Sequence, residues 1–331
     1  MLRGAGTLAT EEWPRPKIGE GELLLRLRGC GLCGSDIAKI VAPRTSAPQI
    51  LGHEVVGEVV AAGAGAPFAL GERVVAAHHV PCANCHYCRR GSASMCRLFK
   101  ESHLDPGGFA EFVRIPVANA QHATFRIPSH VTDEAASFVE PLACCLRAVK
   151  RAHVQAGDTV VVVGLGSIGC LFVQLLKRAG AFVAGVDVLP QRAALAVRLG
   201  ADAAGSAAAA AAAARQESAG RGADLILLTG GGAAVLPWAA DTVRDGGAIH
   251  VFAGGEGDRL PLPLATLYAR ELTLMTTYSS SPVELREAFD LIVAGHIRPA
   301  SLVSHRLPLA QLGEAVALMR RREALKVYVT P

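Results

Sequence analysis

Four cysteines stand close together in the sequence with a spacing typical of a metal site. Cys82, Cys85, Cys88 and Cys96 form the pattern Cys-x2-Cys-x2-Cys-x7-Cys in a polar segment. Four thiolates can close a tetrahedron around Zn²⁺ and leave no position open, which is the arrangement of a structural zinc site. The alternative is four buried or free thiols, but apolar packing gives no reason to cluster cysteines in a polar loop. We therefore predict a structural zinc here.

A second set of potential metal ligands is dispersed along the chain. It consists of a cysteine, a histidine and two glutamates: Cys33, His53, Glu54 and Glu140. A thiolate, an imidazole and a carboxylate form a reasonable shell for a catalytic zinc with one position open for water or substrate. A lone buried cysteine is nevertheless commoner than a catalytic one, and a serine such as Ser35 is more often a helix cap. The residues alone leave open whether this site exists and which glutamate is the direct ligand.

A glycine-rich segment predicts a dinucleotide site. Residues Val160 to Gly169 read Val-Val-Val-Val-Gly-Leu-Gly-Ser-Ile-Gly, which places Gly-x-Gly-x-x-Gly after a strand and before a helix. Gly164 permits the tight turn, Gly166 lets the backbone approach a pyrophosphate, and Gly169 allows close packing of helix and strand. A chance cluster of glycines in a turn is the alternative.

A carboxylate follows at the place where such a site needs one. Asp187 ends the next predicted strand, eighteen residues after Gly169. There it can accept hydrogen bonds from both ribose hydroxyls of NAD, and its charge would repel the 2′-phosphate of NADP. An ordinary carboxylate at a strand end is the alternative, which this position makes the weaker one. We therefore expect NAD.

These residues require two kinds of scaffold. Up to about residue 125 the chain shows short strand-like runs separated by glycine and proline: Glu22–Arg28, Val55–Ala61, Arg73–Ala77 and Phe109–Ile115. From Asp133 the apolar spacing becomes helical, and apolar strands then alternate with alanine-rich helices, which indicates a parallel sheet covered on both faces. The predicted strands of that sheet are Val160–Val163, Phe182–Val186, Leu225–Leu228, Ala248–Phe252 and Leu272–Thr276.

The remaining segments complete the predicted architecture. After Ser281 we expect a helix, a strand, a second helix and a last strand: Pro282–Ala294, Leu302–Leu307, Leu309–Arg322 and Lys326–Thr330. The run of alanines from Ala207 to Ala214 is predicted to form a helix of the parallel-sheet domain, because alanine is the best helix former.

Composition excludes several classes of protein. The 331 residues carry 33 basic and 29 acidic side chains, a net charge of +4, which gives no electrostatic case for a nucleic-acid or membrane-surface partner. Eighteen uncharged residues from Thr159 to Leu176 approach the length of a membrane span, but three glycines interrupt them. Nine cysteines and an N-terminal segment without a signal-peptide core indicate a cytoplasmic chain with reduced thiols.

The motifs together resemble a known family. Gly52-His-Glu-x2-Gly57-x5-Gly63-x2-Ala66 is similar to the signature of zinc-containing alcohol dehydrogenases of the medium-chain dehydrogenase/reductase superfamily. The Cys-Gly-Ser-Asp loop, the four cysteines, the glycine turn and Asp187 follow in the family's order over essentially the whole chain. The resemblance implies an α/β protein with a GroES-like, mainly-β catalytic domain and a Rossmann domain with a doubly wound parallel sheet. The implied boundaries are 1–140, with the zinc lobe at about 81–97, then 141–278 for NAD, and 279–331 returning to the catalytic domain.

The same resemblance implies roles for individual residues. The catalytic zinc would be held by Cys33, His53, Glu54 and Glu140, and Ser35 would take the proton of the alcohol and pass it through the NAD ribose toward solvent. Two Zn²⁺ per chain, NAD, and a homodimer or homotetramer are expected. The expected cofactor-binding residues are Gly164, Gly166, Ile168, Gly169, Asp187, Arg192, Phe252, Ala253, Gly254 and Tyr278.

The branch of the family can be narrowed. Glu140 stands where simple alcohol dehydrogenases have a cysteine, and Glu-Pro-Leu looks like the polyol (sorbitol or iditol) dehydrogenase branch, as does Tyr278. Thr277 replaces the arginine expected beside that tyrosine, which puts sorbitol itself in doubt, and Ala38 replaces a histidine of the proton relay. We expect reversible oxidation of a secondary alcohol of a polyol or sugar-like substrate to a ketone by hydride transfer to NAD. The alternatives are an L-threonine 3-dehydrogenase-like or general alcohol dehydrogenase, and a non-catalytic protein that binds NAD and zinc.

Overall fold

The computed structural model describes residues 1–4, 6–42, 49–255 and 257–331. The strands in chain order are β1 (Leu2–Gly4), β2 (Thr7–Leu8), β3 (Leu23–Gly31), β4 (Glu54–Ala62), β5 (Arg73–Ala77), β6 (Phe112–Ile115), β7 (Thr124–Arg126), β8 (Thr159–Val163), β9 (Phe182–Val186), β10 (Ala203–Gly205), β11 (Ala223–Leu228), β12 (Val243–Val251), β13 (Thr273–Thr276), β14 (His305–Pro308) and β15 (Val327–Thr330). The helices are α1 (Gly34–Val41), α2 (His86–Arg89), α3 (Arg97–Glu101), α4 (Val117–His122), α5 (Asp133–Ser137), α6 (Val139–Arg151), α7 (Ser167–Arg178), α8 (Pro190–Arg198), α9 (Ala207–Glu217), α10 (Leu236–Thr242), α11 (Leu264–Ala269), α12 (Pro282–Val293) and α13 (Leu312–Arg320).

The chain forms two compact units, and the first is built from two separate segments. Residues Met1–Ala143 and Ser280–Pro331 make up the first unit, and residues Cys144–Ser279 make up the second.

A mainly antiparallel sheet organises the first unit. Its strand order is β14-β15-β3-β4-β5-β7, and β6 pairs with β3. Only the pairing of β14 with β15 is parallel among the described strands of this sheet. The central strand β3 is buried except at Arg26 and Arg28, which are exposed. Leu23, Leu25 and Leu27 of β3 pack into a core that also receives Val327 and Val329 of β15, so the returning segment is part of the same core.

A parallel sheet organises the second unit. In the described part of the chain its six strands follow the order β10-β9-β8-β11-β12-β13. The strand order runs outward from β8 in both directions, as in a doubly wound sheet. All five residues of β8 are buried, which accounts for their uniformly β-branched sequence.

The alanine run forms α9, one of the helices that cover this sheet. Ser206 caps its N-terminus by accepting a hydrogen bond from the backbone N–H of Ala209. Ala210 and Ala214 are buried against the core of the sheet, because small side chains let helix and sheet approach closely.

The uncharged segment from Thr159 to Leu176 forms β8, a turn and most of α7. Among the described residues, no helix is both long enough and apolar enough to cross a membrane.

One predicted strand differs from the structure. The segment expected to extend over Leu302–Leu307 begins instead with a 3₁₀ turn at Pro299–Leu302, and the strand β14 starts at His305. Pro299 accounts for the difference, since its fixed φ favours the first turn of a helical segment.

His250 in β12 is an unusual member of the core of the second unit. Its side chain is fully buried, and neither ring nitrogen has a hydrogen-bond partner among the residues that the structure describes. Burial, with a further contribution from Arg151, lowers the pKa of His250 to about 4. The folded protein therefore holds this imidazole in its neutral form at neutral pH.

We predict that His250→Leu stabilises the protein, and more strongly in mild acid. At pH 7 the gain should be about 1–2 kcal/mol, because an unpaired buried polar ring is removed. The unfolded chain binds a proton at His250 near pH 6.5 and the folded chain only near pH 4, so the stability of the wild type falls between these values. At pH 5 the wild type should lose about 2 kcal/mol that the variant keeps. Urea denaturation at both pH values measures the difference, and an equal gain at pH 7 and pH 5 would contradict the assigned cause.

Candidate metal and nucleotide sites

One pair of strands brings the dispersed ligands of the first unit together. β3 and β4 are antiparallel, and Gly31 at the end of β3 lies opposite Glu54 at the start of β4. Cys33 follows β3 and His53 precedes β4, so both lie at the same edge of the sheet. The ligand atoms of Cys33, His53 and Glu54 lie within 4.8 Å of one another. A thiol, an imidazole and a carboxylate this close form a donor set that suits zinc.

Asp36 connects the two loops that carry these ligands. Its carboxylate accepts hydrogen bonds from the backbone N–H of Cys33 and of Gly52, both at 3.2 Å. Its Oδ1 also lies 3.2 Å from Nδ1 of His53. An Nδ1–H donated to this carboxylate leaves Nε2 of His53 free to bind a metal, an arrangement common around zinc. The sequence analysis includes Asp36 only as part of a motif, whereas the structure gives it a defined positioning contact.

These contacts also set the protonation of the pair. Burial by itself would lower the pKa of His53, but Asp36 and Cys33 outweigh it, and the pKa of His53 is raised above its ordinary value. Burial would likewise raise the pKa of Asp36, and its contacts with His53 lower it instead. Asp36 is therefore a carboxylate that holds the proton on Nδ1 of His53.

Glu54 forms a buried ion pair that the sequence analysis did not identify. Nζ of Lys326 lies 2.6 Å from Oε1 and 2.5 Å from Oε2 of Glu54, and both side chains are buried. Lys326 precedes β15, and β15 pairs with β3, which explains how residues 272 positions apart meet. A Cβ at Gly31 would lie 1.8 Å from Oε2 of Glu54, so only glycine leaves room for this carboxylate.

The other two predicted catalytic residues are placed differently. Glu140 is buried near the start of α6 and is not part of the three-residue cluster described above. Ser35 is exposed in the first turn of α1.

The four cysteines of the predicted structural site converge. Their sulfur atoms all lie within 4.8 Å of one another, and those of Cys85 and Cys88 are 3.5 Å apart. Sulfurs at the corners of a zinc tetrahedron with Zn–S bonds of about 2.3 Å are about 3.8 Å apart. All nine cysteines lie among the described residues, and the structure has no disulfide bond between them. Cys88 lies in α2, Cys85 and Cys96 stand at the N-termini of α2 and α3, and Cys82 lies in the segment before α2. The geometry fits a closed zinc site.

Two adjacent histidines lie beside the first cluster, and the sequence analysis did not single them out. The ring centroid of His78 is 4.7 Å from that of His53 and 3.7 Å from that of His79. The ring of His79 in turn packs against Phe99 at 4.7 Å. Burial lowers the pKa of His79 to about 4 and lowers the pKa of His78 as well, so both rings are neutral at pH 7. In the sequence, the dipeptide His-His directly before the segment of the four cysteines is the feature that could have pointed to these two residues.

The glycine turn of the second unit has the geometry of a phosphate-binding loop. Gly164 has a φ of 91°, and a Cβ at Gly169 would lie 1.9 Å from the carbonyl oxygen of Gly164. At Gly166, which caps α7, a Cβ would meet only the side chain of Arg192, at 3.9 Å. The first and third glycines are thus required by the fold, whereas the second leaves open space beside the N-terminus of a helix, where a pyrophosphate can be bound.

Asp187 follows β9 beside this loop. Its carboxylate accepts hydrogen bonds from the backbone N–H of Leu165 at 2.8 Å and of Leu189 at 2.9 Å. The side chain of Arg192 lies 4.0 Å from the same carboxylate. A carboxylate has about four acceptor positions, so two remain for ribose hydroxyls.

The remaining predicted cofactor residues also lie in the second unit. Ile168 is half-buried in α7, and Phe252 packs edge-on against Phe172 with ring centroids 5.0 Å apart. Ala253 and Gly254 are in the loop after β12, and Tyr278 is exposed. The backbone carbonyl of Tyr278 accepts a hydrogen bond from Arg147.

Comparison with known proteins identifies the family. Residues 19–129 match the model of the alcohol dehydrogenase GroES-like domain, and residues 167–294 match that of the zinc-binding dehydrogenase family. The chain belongs to the zinc-dependent alcohol dehydrogenases. The predicted fold class, with a GroES-like and a Rossmann part, is therefore confirmed, and the protein is an oxidoreductase of a family that uses zinc and a nicotinamide dinucleotide.

Individual relatives cover nearly the whole chain. L-galactonate-5-dehydrogenase of Escherichia coli (strain K12) is 30% identical over 95% of this chain and 93% of its own length. Sorbitol dehydrogenase of Halalkalibacterium halodurans is 29% identical over 99% of this chain and 97% of its own length. Among solved structures, a provisionally named zinc-binding dehydrogenase from Sinorhizobium meliloti 1021 bound to NADP superposes with a TM-score of 0.88, with 29% identity and coverage of 100% and 98% of the two chains.

We predict that replacing one cysteine of each cluster has different consequences. Cys33→Ser should remove one zinc and nearly all alcohol oxidation while leaving the fold intact, because Cys33 is only half-buried and lies beyond the end of β3. Cys85→Ser should remove the other zinc and mainly lower the thermal midpoint, because a structural zinc contributes directly to folding. Metal content per chain, turnover and thermal unfolding measure the three effects. Full turnover in the Cys33 variant would contradict the assignment of that cluster.

Proposed function

We propose that the chain is a zinc- and NAD-dependent dehydrogenase that reversibly oxidises a secondary alcohol of a polyol or sugar-like substrate to a ketone. The observation that carries the proposal is the convergence of Cys33, His53 and Glu54 at one edge of the first unit, within 4.8 Å of one another. When bound there, zinc would lower the pKa of the substrate hydroxyl, and NAD in the second unit would accept the hydride.

The proposed roles of the protein groups follow from their contacts. Cys33 and His53 bind the catalytic zinc, and Glu54 and Glu140 supply its carboxylates. Asp36 keeps the proton of His53 on Nδ1, which directs Nε2 toward the metal. Lys326 balances the charge of Glu54 and so limits the negative charge that the ligand set places on the metal.

Ser35 is proposed to receive the proton of the alcohol. It is exposed in the first turn of α1, two residues after Cys33. Its hydroxyl can accept the proton of the alcohol while it releases its own proton toward solvent, so that the serine stays neutral. Ala38, one turn further along the same helix, has no group that could take this role.

The cofactor is proposed to bind in the Rossmann domain, residues 141–278. The open space at Gly166 supports a pyrophosphate there, and Asp187 with its remaining acceptor positions supports a ribose with free hydroxyls. Ile168, Arg192, Phe252, Ala253, Gly254 and Tyr278 are proposed to complete this site, and Gly164 and Gly169 to shape it.

A polyol is favoured over L-threonine as the substrate. Glu140 followed by Pro-Leu is the feature of the polyol branch, and the relatives include a sorbitol dehydrogenase. An L-threonine 3-dehydrogenase of Chelativorans sp. is similar to the chain as well, so threonine is the second candidate.

We further propose a cytoplasmic homodimer or homotetramer. Nine cysteines without a disulfide bond between them, all in the described part of the chain, support a reducing compartment. The edge strand β13 and the neighbouring α11 expose large apolar side chains, among them Leu264, Tyr268 and Leu274, which a second copy could cover. Light scattering of the purified protein measures the oligomer, and a monomer at micromolar concentration would contradict the proposal.

We predict NAD-linked oxidation of polyols by the zinc-loaded protein. The measurement is the absorbance of the reduced nicotinamide with sorbitol, other hexitols, inositols, L-threonine and simple secondary alcohols, in both directions of the reaction. Polyols should give the highest kcat/KM, since a glutamate at position 140 is the feature of that branch. A preference for L-threonine would replace the polyol assignment, and no turnover with any alcohol would favour a non-catalytic binding protein.

We predict that NAD is used at least tenfold more efficiently than NADP. The 2′-phosphate of NADP would bring its negative charge against the negative carboxylate of Asp187. Two backbone N–H groups hold this carboxylate in place. Asp187→Ser should narrow the preference, with the change mainly in the KM of the cofactor. An equal or higher kcat/KM with NADP than with NAD in the wild type would contradict the role assigned to Asp187.

A further inference from the structure

Lys39 stands on the helix that follows the cysteine of the proposed catalytic site. α1 begins directly after Cys33, and Ser35 and Lys39, four residues apart, are neighbours on its exposed face. Long side chains of a helix lean toward its N-terminus and over the residue four positions earlier. The side chain of Lys39 therefore extends over Ser35, toward the end of the helix at Cys33.

The charge of Lys39 acts on a ring beside the first cluster. Burial is the main cause that lowers the pKa of His79 to about 4, and Lys39 and His103 are among the positive charges that lower it further. Charges in solvent are screened over about 8–10 Å, so Lys39 lies within about that range of His79. The ring of His78 is 3.7 Å from that of His79 and 4.7 Å from that of His53. Lys39 therefore lies beside the proposed metal site, on the same side as these rings.

Lys39 has no carboxylate partner among the residues that the structure describes. The two carboxylates nearest to Cys33 in the site, Asp36 and Glu54, are buried and hold other partners. Of the residues outside the described ranges only Glu256 is acidic, and in the sequence it falls within the span of the second unit. The ammonium group of Lys39 thus keeps a positive charge that no described side chain neutralises.

A free ammonium group at this place distinguishes substrates by their charge. Ser35 is the proposed acceptor of the alcohol proton, so the oxidised carbon lies near it, and Lys39 is about 6 Å further along the helix. A carboxylate or phosphate several bonds from the oxidised carbon can reach the ammonium group and accept a charge-assisted hydrogen bond. A protonated amine at the same end of the substrate would be repelled.

We propose that Lys39 binds an anionic group at one end of the substrate, so that the substrate is a polyol that carries a carboxylate or a phosphate. The inference rests on the proposed function and narrows its substrate class from polyols in general to acidic ones. Lys39 is then a specificity-determining residue that contacts the substrate. The alternative is a solvated surface lysine, for which the charge of the substrate makes no difference.

The test compares polyols that differ only at one terminal carbon. In the sorbitol, mannitol and galactitol configurations, the neutral hexitol is assayed beside the hexonate, the hexitol phosphate and the amino-deoxy-hexitol, with the zinc-loaded protein and NAD. In the configuration that is oxidised fastest, one of the anions should exceed the neutral hexitol by about tenfold or more in kcat/KM, the value of a hydrogen bond to a charged group. The amine should be the poorest substrate. The better of the two anions identifies the source of the charge.

Variants of Lys39 connect this preference to the ammonium group. Lys39→Met removes the charge and keeps most of the length, and it should lower the ratio of kcat/KM for the anion over the neutral hexitol about tenfold, mostly through KM. Lys39→Arg should retain most of the ratio. The dissociation constant of the anion in the presence of NADH, measured by calorimetry, should rise about tenfold in Lys39→Met. Lys17→Met, at an exposed lysine before β3, is the matched control with an unchanged ratio.

Ionic strength gives a second signature of the same contact. The preference of the wild type for the anion should decrease as sodium chloride is added, because salt screens an exposed charge pair. The ratio in Lys39→Met should stay constant over the same range. Zinc content and thermal midpoint verify that each variant is folded and loaded.

The outcomes separate the inference from the function on which it rests. No turnover with any hexitol, any of the derivatives or the wider alcohol panel contradicts the proposed function. Oxidation of neutral alcohols with the acidic derivatives inert or no better than neutral contradicts the inference and leaves the dehydrogenase assignment standing. An unchanged ratio in folded, zinc-loaded Lys39→Met also overturns it.

Discussion

The buried ion pair of Glu54 and Lys326 is the contact on which the first unit depends. Either charge alone in this position would be strongly unfavourable, since removing one partner of a buried pair costs about 3–5 kcal/mol. The contact requires a glycine at position 31 and places the segment before β15 against β4. It also holds the start of β4 in place, directly beside His53. The same ion pair therefore fixes the geometry of the candidate metal site and attaches the returning segment to the sheet.

Local patterns predicted much of the scaffold. Arg73–Ala77 and Phe182–Val186 are strands with the same bounds in sequence and structure, because a short β-branched or apolar run between turn residues has few other folds available. The four-cysteine cluster and the glycine turn could also be predicted from the sequence. Each lies within fifteen residues, so the spacing of its residues along the chain determines how they are placed in space. The short strand β10 was not recognised, because Ala203–Gly205 has neither β-branched residues nor alternation.

Contacts between distant residues were beyond such patterns. Lys326 begins an apolar stretch and carries no periodic signal that would pair it with a glutamate near the other end of the chain. His78 and His79 are ordinary loop residues by composition, and only the packing of rings against His53 and Phe99 gives them a place at the site. The carboxylate of Asp36 was visible as a motif, but its three hydrogen-bond partners come from two loops that only the pairing of β3 with β4 brings together.

The separation of Glu54 and Lys326 has a consequence during protein synthesis. A ribosome adding about 5–20 residues per second needs about 15–55 s to make the 272 positions between them. Throughout that time the carboxylate of Glu54 has no ammonium group to accompany it out of water, so the sheet edge that bears Cys33 and His53 cannot close. Residues Cys144–Ser279 form a compact unit of their own and are complete earlier. The nascent chain thus finishes its nucleotide-binding half first and assembles its metal-binding half last.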